Sequence, residues 1–422
     1  MPHLALRGGE PVLKKQLPPV ITIGQEEKDA AMRVLDRGVL SDFVGARIDK
    51  FLGGVEVKRL EEAMCAFFGV RHAVSTNSAT TALHAALVAL EIGPGDEVIV
   101  TPYTMSATVA AILMNGAIPV FADIDERTFC IDPWSIRQCI SDRTKAIMVV
   151  NLFGGVADFE AIRETARASN LKIIEDNAQA PLARYKGKLA GNLGDVGVFS
   201  FNVHKIMQCG EGGVLVTDNQ EYAFRAQLVR NHGEVYVDQS PELANTVMLG
   251  SNYRMSEIHA AIAYEQLQKL EFFTKKKLEL IHHLSRGLKD IPGLVLPYVP
   301  PDVEHVFYVY PMRILESFGI KRDVFVDAMA AEGFPMSKGY TKPFYLMPIL
   351  QNRRVFNTTH FPFEGSHYNK KITYLKGLCP VAERMYESEF TFTMICQYPR
   401  TIADVDLFVT AVHKILEYKN EL

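Results

Sequence analysis

From about residue 70 to residue 217, short apolar runs rich in Val and Ile alternate with stretches in which apolar residues recur every three or four positions. Runs of the first kind suit buried strands, and stretches of the second kind suit helices laid against them. Strands are predicted at 97–101 (EVIVT), 117–122 (AIPVFA), 146–150 (AIMVV), 172–175 (KIIE), 196–201 (VGVFSF) and 213–217 (GVLVT). TALHAALVAL, SATVAAILMN and DFEAIRETARA read as the helices between them. Gly93-Pro94-Gly95-Asp96, Asn115-Gly116 and the stretch from Asp123 to Asp125 punctuate the pattern. The alternation predicts an α/β fold, a mostly parallel central sheet with helices on both faces.

After Met255 the pattern changes to one long amphipathic stretch, residues 255–290, closed by Ile291-Pro292-Gly293. It is expected to bridge two domains: a large α/β domain over 1–265, including the N-terminal segment, and a small α+β domain over 266–422. In the second, a strand (FYVYPMRI), a helix (RDVFVDAMAAEG), an irregular stretch at 338–378 and a final helix (DVDLFVTAVHKILEY) follow one another. Two domains also suit a length of 422 residues.

A hydrophobic fraction of 48% and a charged fraction of 22% carry no signature of disorder, so the chain is expected to fold throughout. A net charge of −4, spread over both halves, supplies neither a basic stripe for nucleic acid nor a polybasic patch for membranes, and points to a small-molecule ligand. Six widely spaced cysteines lack the C-x-x-C pairs of a zinc site and the density of a disulfide scaffold. No metal is therefore expected. With no apolar leader in MPHLALRGGEPVLKK, a cytoplasmic location is expected.

Ligands of open α/β sheets sit beyond the carboxyl ends of the strands, so polar residues after apolar runs are the candidates. The turn Thr76-Asn77-Ser78-Ala79-Thr80 opens a helix and offers either free N–H groups for a phosphate or a plain N-cap. The strand IIED ends in Glu175-Asp176 and leads into Asn177-Ala178-Gln179; one acid could be solvated at the strand end, or a carboxylate could hold a protonated heteroaromatic nitrogen. Lys205 follows Phe199-Ser200-Phe201-Asn202-Val203-His204 and precedes Gly210-Glu211-Gly212-Gly213. It is either a surface lysine or a desolvated amine suited to a Schiff base. Gly250-Ser251-Asn252-Tyr253-Arg254-Met255-Ser256-Glu257 opens the long helix, with Ser256 as its simple cap.

Together, Asn77 to Thr80, Glu175 to Gln179, Ser200-Phe201 with Lys205, Gly210 to Gly213 and Asn252 to Met255 resemble the DegT/StrS sugar aminotransferases, a group of fold-type I pyridoxal-phosphate enzymes. The likeness spans nearly the whole chain, from Gly8-Gly9-Glu10 through Phe67-Phe68-Gly69 to Cys379-Pro380-Val381-Ala382-Glu383-Arg384. It implies a transaminase using pyridoxal 5'-phosphate, with Lys205 as Schiff-base lysine and proton carrier and Asp176 on the pyridinium nitrogen. It further implies Gln179 beside the ring, Ser78, Ala79 and Ser200 around the phosphate, and Thr80 among the cofactor-binding residues. Asn252 would reach in from the other chain of a homodimer with shared sites.

Where that family usually stacks an aromatic residue on the cofactor this chain has Met105, with Tyr103 nearby as the other candidate. The stretch from Lys342 to Lys376 is long for a sugar enzyme and closer to the cyclitol-type members, and is expected to shape the acceptor pocket. The implied reaction moves an amino group from glutamate or glutamine to a keto sugar, nucleotide-linked, with a keto-cyclitol as the second choice. A related dehydratase branch replaces the lysine by histidine, but His204 stands one residue too early for that. A non-catalytic regulatory homologue would need neither Lys205 nor Asp176.

Overall fold

Branched and aromatic side chains pack well on a pleated surface and lose rotamer freedom in a helix, so runs of Val, Ile and Phe favour the extended chain. The computed structural model, which describes residues 2–46, 48–233 and 248–422, gathers these runs into a seven-stranded sheet. It holds β1 (His72–Thr76), β2 (Glu97–Val100), β3 (Ile118–Phe121), β4 (Thr144–Val150) and β5 (Lys172–Asp176). After a separate hairpin, β6 (Arg184–Tyr185) and β7 (Lys188–Leu189), come β8 (Val196–Ser200) and β9 (Gly213–Thr217). The order across the sheet is β1-β9-β8-β5-β4-β2-β3. Pairs from β3 through β8 are parallel, and β9 runs antiparallel to both β8 and β1. Every strand expected from the pattern in this region is present. β1 escapes the pattern because His72, Ser75 and Thr76 leave only Ala73 and Val74 as its apolar run.

The main helices are α1 (Gln25–Arg37), α2 (Val55–Phe68), α3 (Ala79–Ala89), α4 (Ser106–Met114), α5 (Pro133–Cys139), α6 (Phe159–Ala168), α7 (Gln220–Arg230), α8 (Glu257–Gly287) and α9 (Arg322–Ala331). Ser256 caps α8 by accepting a hydrogen bond from the His259 N–H at 3.3 Å. Ala260, Leu267 and Leu270 of α8 join the core around the large sheet, while Leu280, Ile281 and Leu284 join a second apolar cluster. That second cluster packs around β10 (Leu294–Val295), β12 (Tyr310–Ile314) and β13 (Phe390–Thr393), with α9 and the final helix Ile402–Glu417; β11 (Val303–Glu304) instead pairs with β6. Among the described residues no helix is long and apolar enough to cross a membrane.

The irregular stretch 338–378 returns to the large sheet, with Phe344, Leu350, Phe363, Tyr368 and Tyr374 in its core. Tyr374 donates to the Pro119 carbonyl at 2.8 Å and Tyr368 to the buried Glu97 at 2.8 Å, so most of the stretch covers the β2–β3 edge.

The sheet's pleat sends neighbouring side chains to opposite faces, and the two acids closing β5 are separated in this way. Neither is solvated: Glu175 is 0% exposed and Asp176 5%. Glu175 accepts the N–H groups of Gly191 (2.8 Å) and Gly194 (2.6 Å), and that of Leu193, tying the turn before β8 to β5. Removing this carboxylate strands three backbone donors, so Glu175→Ala should cost about 3 kcal/mol of stability, with Glu175→Gln costing less. Urea denaturation provides the measurement; an unfolding midpoint equal to that of the natural chain would show that the turn does not depend on Glu175.

Candidate active site

At the carboxyl ends of β2, β4, β5 and β8 the sheet opens into a cavity of about 410 Å³, roofed on one side by the first turn of α3. Two surface grooves are larger, about 450 Å³ beside Arg71 and about 620 Å³ beside Arg322. The arginines that line them are already paired, Arg71 with Asp218 and Arg322 with Asp323. The cavity at the strand ends instead brings together a lysine and an aspartate that form no ion pair within 4.0 Å among the described residues.

The lysine is Lys205. The chain leaves β8 and folds back on itself, with Phe201 N donating to the Gly212 carbonyl (2.9 Å), Val203 N to Gly210 (3.0 Å) and Cys209 N to Phe201 (2.9 Å). Gly210 takes a left-handed φ of 90° that allows the return. This closed loop holds Lys205 part-buried, its Nζ 4.7 Å from the centre of the Tyr308 ring. Burial lowers the pKa of the amine, and the nearby charge of Asp176 opposes that shift.

The aspartate is Asp176. Its Oδ2 accepts from Thr108 Oγ1 at 2.8 Å and its Oδ1 from the Ala178 N–H at 3.1 Å. Burial raises its pKa, while these two donors and Lys205 pull it down. Gln179 is fixed at both ends of its amide, Oε1 accepting from Phe153 N at 2.8 Å and Nε2 donating to the Tyr340 hydroxyl at 2.9 Å.

At the far end of the cavity, Ser78 caps α3 by accepting from Thr81 N at 3.2 Å. The cap and the anion site are not alternatives. The N–H groups of Ala79 and Thr80 belong to the first helical turn, have no partner among the described residues, and both residues line the cavity. Backbone crowding is tight here: a Cβ on Gly213 would stand 2.5 Å from Ala79 N. Glycine at 213 lets β9 pass directly behind this turn.

Eight residues expected from the sequence, Ser78, Ala79, Thr80, Met105, Asp176, Gln179, Ser200 and Lys205, line this one cavity. Asn252 does not; it is exposed, and its Oδ1 accepts from Arg254 Nε at 2.9 Å. Of the two ring-packing candidates only Met105 borders the cavity, whereas Tyr103 is 0% exposed and packs against Tyr340 and Phe390. Sequence reasoning missed Thr108, Tyr308 and Tyr340. Thr108 had a weak signal, lying one helical turn after Thr104, to which its hydroxyl is bonded at 3.0 Å. Tyr308 enters because Gly154 has no side chain: a Cβ there would stand 2.7 Å from Tyr308 N, which donates to the Phe153 carbonyl at 2.7 Å. Nothing local to residues 308 or 340 announces either tyrosine. The stretch after Lys342, expected to shape the pocket, adds no residue to its lining.

Comparison with known proteins identifies the family. Residues 45–373 match the family model described as the DegT/DnrJ/EryC1/StrS aminotransferase family. The chain is 37% identical to GDP-perosamine synthase of Caulobacter vibrioides over 323 residues, which is 76% of this chain and 83% of the relative. It is 32% identical to L-glutamine:2-deoxy-scyllo-inosose aminotransferase of Streptoalloteichus tenebrarius over 437 aligned positions, covering 100% of this chain and 99% of the relative. The solved structure of S. venezuelae DesV superposes with a TM-score of 0.78 at 29% identity, over 95% of this chain and 99% of that one.

The opposed effects on Lys205 give a measurable consequence. Its amine should titrate below the ordinary lysine value of 10.5, and Asp176→Asn, which removes the charge that favours the ammonium form, should lower the midpoint further. The pH profile of Lys205 labelling by trinitrobenzenesulfonate in the cofactor-free protein measures both. A midpoint that rises in the variant would contradict the electrostatic coupling.

Proposed function

The chain belongs to the DegT/DnrJ/EryC1/StrS aminotransferase family, and from that premise we propose that it binds pyridoxal 5'-phosphate at Lys205 and transfers an amino group from glutamate or glutamine to a ketone on a sugar or cyclitol ring. The observation that carries the reading is the meeting, in one cavity, of a lysine amine without an ion pair, a buried aspartate and helix-start N–H groups without partners, all among the described residues. These groups fit the cofactor. Bound there, pyridoxal phosphate supplies an aldehyde that condenses with amines and a protonated ring that withdraws electrons.

Ser78, Ala79, Thr80 and Ser200 would hold the phosphate, whose charge suits the positive end of α3. Asp176, positioned by Thr108, would keep the ring nitrogen protonated, and Gln179 and Met105 would border the ring. Lys205 would move the proton at the substrate carbon; its lowered pKa keeps part of it in the neutral, basic form. The working unit is a homodimer in which Asn252 of the partner subunit completes each site. No membrane or nucleic acid enters the reaction.

A nucleotide-linked keto sugar is the first acceptor to test. A keto-cyclitol is the second reading, and one observation favours it: the cyclitol-type relative matches this chain from end to end, whereas the perosamine synthase matches 76% of it.

The purified protein should be yellow, lose that absorption on addition of glutamate or glutamine, and after borohydride reduction carry the cofactor on Lys205 in a peptide map. A label on another lysine, or none, would refute the assignment. A panel of keto sugars and keto-cyclitols then identifies the acceptor.

Shared sites are tested by mixing Lys205→Ala with Asn252→Ala chains under conditions that let subunits exchange. About half the dimers become mixed, and one of the two sites in each then has both natural residues, so roughly a quarter of all sites should recover. Activity that stays at the average of the two parents would place Asn252 in the site of its own chain.

A further inference from the structure

The bonds around Gln179 have only one consistent direction. A backbone N–H can only donate, so the Gln179 atom facing Phe153 N at 2.8 Å is the carbonyl oxygen. The amide nitrogen then faces Tyr340, 2.9 Å away, and it too can only donate. The Tyr340 oxygen is therefore an acceptor in that bond, and its own hydrogen must point elsewhere. Among the described residues no group takes it, and Tyr340 borders the cavity. The side chain is also held in place: its ring lies 5.0 Å from that of Phe153 and 5.7 Å from that of Tyr103. The backbone is tied on both sides, by Gly339 N to the Phe390 carbonyl at 3.0 Å and by Thr341 Oγ1 to the Thr104 carbonyl at 2.9 Å. Burial holds the phenol pKa above its ordinary value, so it stays a neutral donor across the working pH range.

We propose that the Tyr340 hydroxyl is a specificity-determining residue that donates a hydrogen bond to an oxygen of the acceptor ring. The inference rests on the transaminase reading above and names the side of the reaction that Tyr340 serves. A neutral hydroxyl suits a hydroxyl or carbonyl oxygen of a polyhydroxylated ketone. The carboxylate groups of the amino donor call for a cation instead. A site built to donate to a substrate oxygen discriminates against partners that cannot receive the bond.

The test separates the two half-reactions of the holoenzyme. The cofactor is converted to its amine form with glutamate, and its return to the aldehyde form is followed by absorbance with either 2-oxoglutarate or scyllo-inosose, a hydroxylated ring ketone, as acceptor. Tyr340→Phe keeps the ring and its packing and removes only the hydroxyl. The variant should slow the return with scyllo-inosose about tenfold more than the return with 2-oxoglutarate. Equal slowing of both would overturn the inference and assign Tyr340 to the cofactor through Gln179; no slowing of either would overturn it as well. If the natural enzyme responds to 2-oxoglutarate but to no keto sugar or keto-cyclitol, the functional reading fails, and that failure appears without any variant.

Discussion

Two carboxylates buried side by side at the end of β5 are the constraint around which this site is built. Removing a carboxylate from water costs several kcal/mol unless donors replace the lost hydration. The pleat divides the problem into two. Glu175, on one face, is satisfied by the backbone of the turn at 191–194, so that the burial of a charge fixes a loop. Asp176, on the other face, receives only Thr108 and Ala178 among the described residues and keeps capacity for a further partner in the cavity. One residue ties down a turn and its neighbour faces the cavity, although the chain presents them as an undifferentiated acidic pair.

Lys205 is the counterpart of that arrangement. Its loop is closed by backbone bonds and by glycine, so it does not depend on the lysine for its shape. The amine is left with the face of the Tyr308 ring and the distant charge of Asp176, a setting in which desolvation and attraction oppose each other. An amine tied into a short ion pair would stay protonated and unreactive. Held apart from Asp176, Lys205 retains access to its neutral form, the form that attacks an aldehyde or accepts a proton.

Phe153 links the cavity end of the large sheet to the C-terminal part of the chain. Its backbone sits at a φ of 57°, an uncommon conformation for a bulky residue, and its N–H is aimed at Gln179. Its carbonyl takes the N–H of Tyr308, and its ring packs on Phe390 and Tyr340. Residues from three separate stretches of sequence, Gln179, Tyr308 and Tyr340, thus reach the cavity through one position.

The sequence by itself determined six strands of the large sheet, β2 to β5, β8 and β9, the long helix, the helix-opening turn of Ser78, Ala79 and Thr80, and the candidates beyond a strand end: Asp176, Gln179, Ser200 and Lys205. These are legible because periodicity reports which face of a short element is buried, and because the polar residue that ends an apolar run marks the strand's carboxyl end. Only the tertiary structure decided that Glu175 is a backbone acceptor and Asp176 a cavity group, that Tyr103 is core while Met105 borders the cavity, and that Asn252 lies outside the cavity of its own chain. It alone brought in Tyr308 and Tyr340, the latter 161 positions from the glutamine it bonds. A pattern of apolar and polar positions specifies that a face will be buried, whereas the partner on that face is selected by packing across the whole chain.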